Sequence, residues 1–227
     1  MIPLKDDNPT VSRPTITYFL IGVCLVIFFI QLGSESYKTG QLFYSYGLIP
    51  SVLMGHDQLP KDLYAVPAYT TIFSSMFMHG GWMHLIGNMW YMKIFADNIE
   101  DNVGSRNFLI FYILCGIGAA MAQVLMDTHS QVPMVGASGA IGGVLGAYLI
   151  NHPNARVLVL IPYIIITIIK IRALYVLGFW FILQFISSGG GVAYAAHIGG
   201  FVSGMVLILF FNKKIKRKSK VVKGPWS

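Results

Sequence analysis

Charged side chains are scarce in this chain. Asp, Glu, Lys and Arg make up 11% of its 227 residues, against about a quarter in soluble domains. With 55% of residues hydrophobic, the deficit excludes an ordinary soluble domain. It points to an integral membrane protein, too short for more than one helical bundle. Cysteine is as sparse. Cys24 and Cys115 both fall in apolar runs, so two small buried hydrophobes are expected rather than a disulfide framework. Carboxylates are missing altogether from the apolar segments 138–150, 173–186 and 192–211. The zinc-protease pattern H-E-x-x-H is absent as well, and Asp97 and Asp127 fall at the expected ends of helices on opposite sides. Zinc-dependent and paired-aspartate chemistry therefore lack their residues, and neither a metal nor a cofactor is expected.

The net charge of +7 is not a nucleic-acid signal, and no nucleic-acid partner is expected. Seven Lys and Arg residues crowd into positions 213–223, directly behind a hydrophobic segment. That is how a cytoplasmic membrane flank reads, with weak attraction to anionic lipid. Residues 1–14 are polar and the first apolar stretch lacks a small-residue cleavage site, so no cleaved leader is expected. The expected organisation is a cytoplasmic segment 1–14, a membrane domain 15–211 and a basic cytoplasmic tail 212–227, with the lipid bilayer as solvent. The plasma membrane is the expected location, and oligomeric state stays open.

Six apolar segments read as membrane helices: Thr15–Leu32, Trp82–Ala96, Phe108–Met126, Ser138–Ile150, Ala173–Ile186 and Val192–Phe211. The first is long enough to span on its own. Several others are short and span only among neighbours or in a thinned bilayer. Residues 33–81 are too apolar for a free linker and are expected at the membrane interface. The stretch 157–169 is apolar but only 13 residues long, holds Pro162, and is bracketed by Arg156, Lys170 and Arg172. With six spans and an inside N-terminus, Lys5, Arg13, Arg106, Arg156, Lys170, Arg172 and the tail fall inside, and Lys38 and Lys61 outside. A seventh span would split Arg156 from Lys170 and Arg172. The positive-inside rule thus favours six, with 157–169 as an interfacial or partly inserted hairpin.

That topology puts four polar residues in one leaflet. His84 and Asn88 lie early in the second segment, Ser138 starts the fourth, and His197 lies about 8 Å into the sixth at ~1.5 Å per residue. His84 and Asn88 are four apart and share a helix face. Glycines at 139, 143, 142 and 146, and at 200 and 204, form small-xxx-small pairs that let membrane helices approach closely. Such an approach brings Ser138 and His197 into hydrogen-bond reach. A serine becomes a nucleophile beside a base, and without a carboxylate the unit is a Ser–His dyad. Each residue also has a plainer reading. Ser138 fits a helix N-cap, and His84, Asn88 and His197 fit interhelical glue or a solute path. His79 is expected to be structural, on another face from His84. His56, His129 and His152 are expected in solvated loops, and the aromatic stretch Trp180–Phe185 against lipid. A small transporter or a non-catalytic binder of membrane clients stays open at this point.

Three motifs together resemble the rhomboid family of intramembrane serine proteases: Met78-His79-Gly80-Gly81-Trp82-Met83-His84-Leu85-Ile86-Gly87-Asn88, Gly136-Ala137-Ser138-Gly139, and Ala196-His197-Ile198-Gly199-Gly200 with Gly204. The resemblance covers roughly residues 66–211. It implies an all-α, six-helix membrane bundle whose first loop is a membrane-embedded hairpin. It implies cleavage of peptide bonds within or beside the transmembrane segments of membrane-protein substrates. Ser138 is then the nucleophile and His197 the general base. His84 and Asn88 form an oxyanion hole with the backbone N–H of Ser138 and of Ala137, and residues 187–191 cap the site. Some members place a tyrosine one turn after the serine, stacked on the histidine; this chain has Gly142.

Overall fold

The computed structural model describes residues 1–35, 40–162, 166–186 and 192–212. The basic tail after Asn212, the capping segment 187–191 and Lys38 lie outside them. Helix α1 is Thr15–Leu32, opened after Pro14 and closed at Gly33. It has no N-cap side chain of its own. Its free backbone donors, which every helix start carries, are met by Glu100: the carboxylate accepts from the Ile16 and Thr17 N–H groups at 3.0 and 2.8 Å. It also accepts from the Thr17 and Ser105 hydroxyls. A carboxylate at a helix N-terminus also meets the positive end of the helix dipole.

The segment between the first two long helices folds into short pieces, α2 (Gln41–Tyr46), α3 (Pro50–Leu53) and α4 (Thr71–Ser74) with flanking 3₁₀ turns. It is tied to the chain ahead of Ser138: Leu48 and Met134 exchange backbone bonds at 3.0 and 2.8 Å, and the Ser51 N–H donates to the Ser130 carbonyl at 3.0 Å.

Helices α5 (Trp82–Val103) and α6 (Ser105–Met126) are joined by Gly104 alone, at φ 81°. A left-handed backbone there favours glycine. The apolar pattern of α5 stops at Ala96, but the helix continues because Asn98, Ile99, Glu100 and Val103 face inward and are buried. Asp97 therefore lies inside a helix and not at its end.

Helix α7 (Ser138–Asn151) is the centre of the bundle, with residues 139–148 all buried. It is followed by strands β2 (Arg156–Pro162) and β3 (Ile166–Arg172), then α8 (Ala173–Ile186) and α9 (Tyr194–Phe211). The expected hairpin at 157–169 is thus a β-hairpin. Val157 and Val159 alternate inward and are fully buried, the period-two pattern of a half-buried strand. The N-terminal segment holds a strand that the sequence reading does not specify. Its residues Ile2–Asp6 form β1, antiparallel to β2, with Ile2 opposite Leu160 and Asp6 opposite Val157. The sheet order is β1-β2-β3.

The chain is mainly helical, as expected. Among the described residues α1, α6 and α9 are long and apolar enough to cross a membrane, and α7 and α8 are shorter apolar helices. Cys24 and Cys115 are free and buried.

The tightest packing joins α7 to α9. A Cβ built on Gly204 would lie 1.9 Å from the Gly143 carbonyl oxygen, and one on Gly200 would lie 1.9 Å from that of Gly139. No side chain fits there, so the backbones touch, as small residues permit. This contact fixes the depth of His197 relative to Ser138.

Candidate active site

Ser138 is the first residue of α7, and the segment that delivers it is held from outside the helix. The Gly136 N–H donates to the Ser75 carbonyl at 2.8 Å. Gly136 itself sits at φ 128°, where a Cβ would lie 2.6 Å from the His84 Nε2. Glycine is needed on both counts: backbone conformation and the approach of the His84 ring. Ala137 is fully buried at the N-cap position, with its carbonyl accepting from Ile141 at 3.0 Å.

His197 enters from the first turn of α9. Its Nε2 stands 2.8 Å from the Ser138 Oγ, within normal hydrogen-bond range. The two side chains expected to meet are in contact. His84 packs beside them, its Nδ1 accepting from the Gly80 N–H at 3.3 Å. Asn88 is buried, and its Nδ2 has no hydrogen-bond partner among the described residues. Buried amide donors are rarely left so. All four residues line one cavity of about 1160 Å³. Within it a serine hydroxyl is paired with a base, and a spare amide donor and a second imidazole face the same space. Such an arrangement can activate a hydroxyl and receive a developing negative oxygen.

Three further side chains depart from the sequence reading. His79 is not on the α5 helix; it precedes it, fully buried. Its backbone N–H and carbonyl are clamped by the Gln31 side chain at 3.2 and 3.1 Å, and its ring meets His84 edge-on at 5.2 Å. Trp180 does not face lipid. Its ring lies 5.7 Å from that of His197 and 6.0 Å from Phe201. Gly142 explains the change of aromatic: a Cβ there would lie 3.0 Å from the His197 carbonyl oxygen. The aromatic neighbours of the histidine are Trp180 of α8 and Tyr194 of its own helix α9, the latter edge-on at 6.3 Å. Gln184 is a neighbour of His197 that the sequence motifs miss. Its Oε1 lies 2.8 Å from the His197 Nδ1. The available signal is a polar residue alone in the apolar run 173–186. Among the described residues no cluster of three or more His, Cys, Asp or Glu forms a metal site.

Fold and site together define a class: a helical membrane protein that holds a serine hydroxyl against an imidazole inside its bundle. A Rhomboid-domain profile matches residues 66–214, and this chain belongs to the rhomboid family. It is similar to Rhomboid protease GluP of Bacillus subtilis (strain 168), 30% identical over 196 residues, covering 85% of this chain and 34% of GluP. It is similar to Rhomboid-like protease 3 of Toxoplasma gondii, 26% identical over 145 residues, covering 64% of this chain and 52% of that protein. It is also similar to the mitochondrial Rhomboid protein 1 of Saccharomyces cerevisiae, 25% identical over 169 residues, covering 70% and 46%. The chain spans about a third to a half of the length of these relatives.

Proposed function

We propose that this chain is an intramembrane serine endopeptidase that hydrolyses peptide bonds within or beside transmembrane segments of membrane-protein substrates. The 2.8 Å contact between Ser138 Oγ and His197 Nε2 carries the reading. Ser138 attacks a backbone carbonyl of a locally unwound substrate helix. His197 takes the hydroxyl proton and later donates it to the leaving amine. The developing oxyanion is received by the Asn88 Nδ2, His84 and the first backbone N–H groups of α7 near Ala137. The cavity beside Ser138 supplies room for the substrate backbone and for the water that releases the acyl-enzyme. Substrates with weak helices are favoured, because unwinding frees backbone groups that lipid cannot satisfy.

In this reading α1, α5, α6, α7, α8 and α9 are the six spans of a domain covering residues 15–211. Both termini are cytoplasmic, and the site opens to the outer face of a plasma membrane. The test is reconstitution in lipid vesicles with a model single-span substrate. Wild type should cleave it and be labelled by a fluorophosphonate at Ser138. A transporter or client-binding protein would take up no label and leave the substrate whole.

A further inference from the structure

The reaction just proposed leaves the outer nitrogen of His197 unassigned, and among the described residues its partner is an amide and not a carboxylate. We infer that Gln184 is the third member of the unit: a neutral amide that fixes His197 in the form able to take the serine proton. The inference rests on the proteolytic reading for its kinetics but on geometry for its logic.

Gln184 sits on α8, thirteen positions before His197 in sequence and buried at 8% exposure. It is not among the residues lining the cavity. It reaches the imidazole from behind and acts through it, so it is a positioning residue. Its amide has one sensible orientation. The Nε2 donates to the Trp180 carbonyl, one turn back on the same helix, at 2.7 Å. Reversing the amide would set two acceptor oxygens against each other. The Oε1 is thereby committed to His197, at 2.8 Å from Nδ1. An amide oxygen only accepts, so Nδ1 must carry the hydrogen. A neutral imidazole has one N–H and one lone pair. The lone pair therefore falls on Nε2, the atom 2.8 Å from the Ser138 hydroxyl. Proton transfer from Ser138 then leaves an imidazolium that donates to Gln184 at one end and faces the substrate at the other. The Trp180 ring, 5.7 Å away, offers its π-face to the same cation.

An amide suits this site better than a carboxylate would. A carboxylate at this depth would be a buried charge in the resting enzyme, costly in hydrocarbon surroundings. The amide fixes the tautomer without adding one.

The experiment compares wild type, Ser138→Ala, Gln184→Met and Gln184→Glu in lipid vesicles, by substrate turnover and by ¹⁵N spectra of labelled histidine assigned by difference with His197→Ala. Wild type should show His197 protonated at Nδ1. Gln184→Met should mix the two tautomers and lower kcat roughly tenfold to a hundredfold, the range found when the outer partner of a metal-bound imidazole is removed, with KM changed less than about twofold. Gln184→Glu keeps an acceptor for the Nδ1 hydrogen but loses the amide donor to the Trp180 carbonyl, so it should keep the Nδ1 tautomer and turn over faster than Gln184→Met while staying below wild type. A wild type that neither cleaves nor labels sinks the proteolytic reading, yet the tautomer measurement still decides the role of Gln184. An active wild type with His197 protonated at Nε2 overturns the inference. So does Gln184→Met with wild-type turnover, or with lost turnover and an unchanged tautomer. If Gln184→Met does not fold, the wild-type spectrum and the turnover of Gln184→Glu decide the matter.

Discussion

The two ends of α7 carry polar clusters of similar size and opposite character. At the Ser138 end the groups face a cavity, and the Asn88 amide nitrogen has no partner among the described residues. At the other end each named group is engaged. Tyr148 donates to Asp6 at 2.5 Å, and Asn98 donates to the same carboxylate at 2.9 Å. Asn8 bonds to Asn98, and the His152 ring lies between the Asn8 and Asn102 amides at 3.1 and 2.7 Å. Asn151 and Asn212 exchange amide bonds at 2.8 and 2.9 Å. Polarity inside an apolar bundle thus has two uses. Saturated, it clamps elements together; left open, it faces a cavity.

The largest effect that would break this contrast is at the open end. Ser138→Ala and His197→Ala should each lower turnover by about 10⁶-fold, the loss typical when one member of a coupled serine–histidine unit goes, while the thermal midpoint in detergent stays within a few degrees of wild type. Full cleavage by either variant would end the distinction. Next, Asn88→Ala should lower kcat by about 10²–10³-fold, as loss of one oxyanion donor does, with a smaller change in KM measured on the same substrate. At the saturated end the ordering reverses. Tyr148→Phe should cost about 1 kcal/mol of stability, the net worth of a hydrogen bond, and leave the rate of fluorophosphonate labelling untouched. The smallest effect sharpens the contrast through pH. Burial pushes the Asp6 carboxyl above its ordinary value of 3.8, against the Tyr148 hydrogen bond that pulls it down. The unfolded chain ionises first, so stability should fall as pH rises from about 4 through the raised value. Unfolding midpoints of Asp6→Asn across that window should be flatter than those of wild type.

Much of the open end is legible in the chain because its parts recur at helix periods and helix starts. Ser138 after Gly136, His84 with Asn88 one turn on, and His197 ahead of Gly200 and Gly204 each announce a helix face or a close approach. Gln184 and Trp180 are not legible, because a lone polar residue, or one ring within an aromatic stretch of an apolar helix, does not say which way it points. The bundle's long helices are likewise readable from runs such as Thr15–Leu32. The run of α5 past Ala96 is hidden, since Glu100 is polar by composition yet buried as the cap of α1. The saturated end is nearly invisible. His152 is expected in solvent, but its partners Asn8 and Asn102 come from distant segments. Ile2–Asp6 is too short a stretch to announce a strand until its partner β2 is known.

The pairing of Ile2 with Leu160 also imposes a parity. Two strands cannot share hydrogen bonds through a hydrocarbon layer, where exposed backbone groups find no water. Residues 2–6 and 156–162 must then lie on the same side of any membrane this chain enters. Whatever traverses between them does so an even number of times, and the four spans proposed above for α1, α5, α6 and α7 are consistent with that. A reporter fused ahead of β1 and another placed after β3 should therefore answer from one compartment, so a three-stranded sheet keeps count for the helices between its strands.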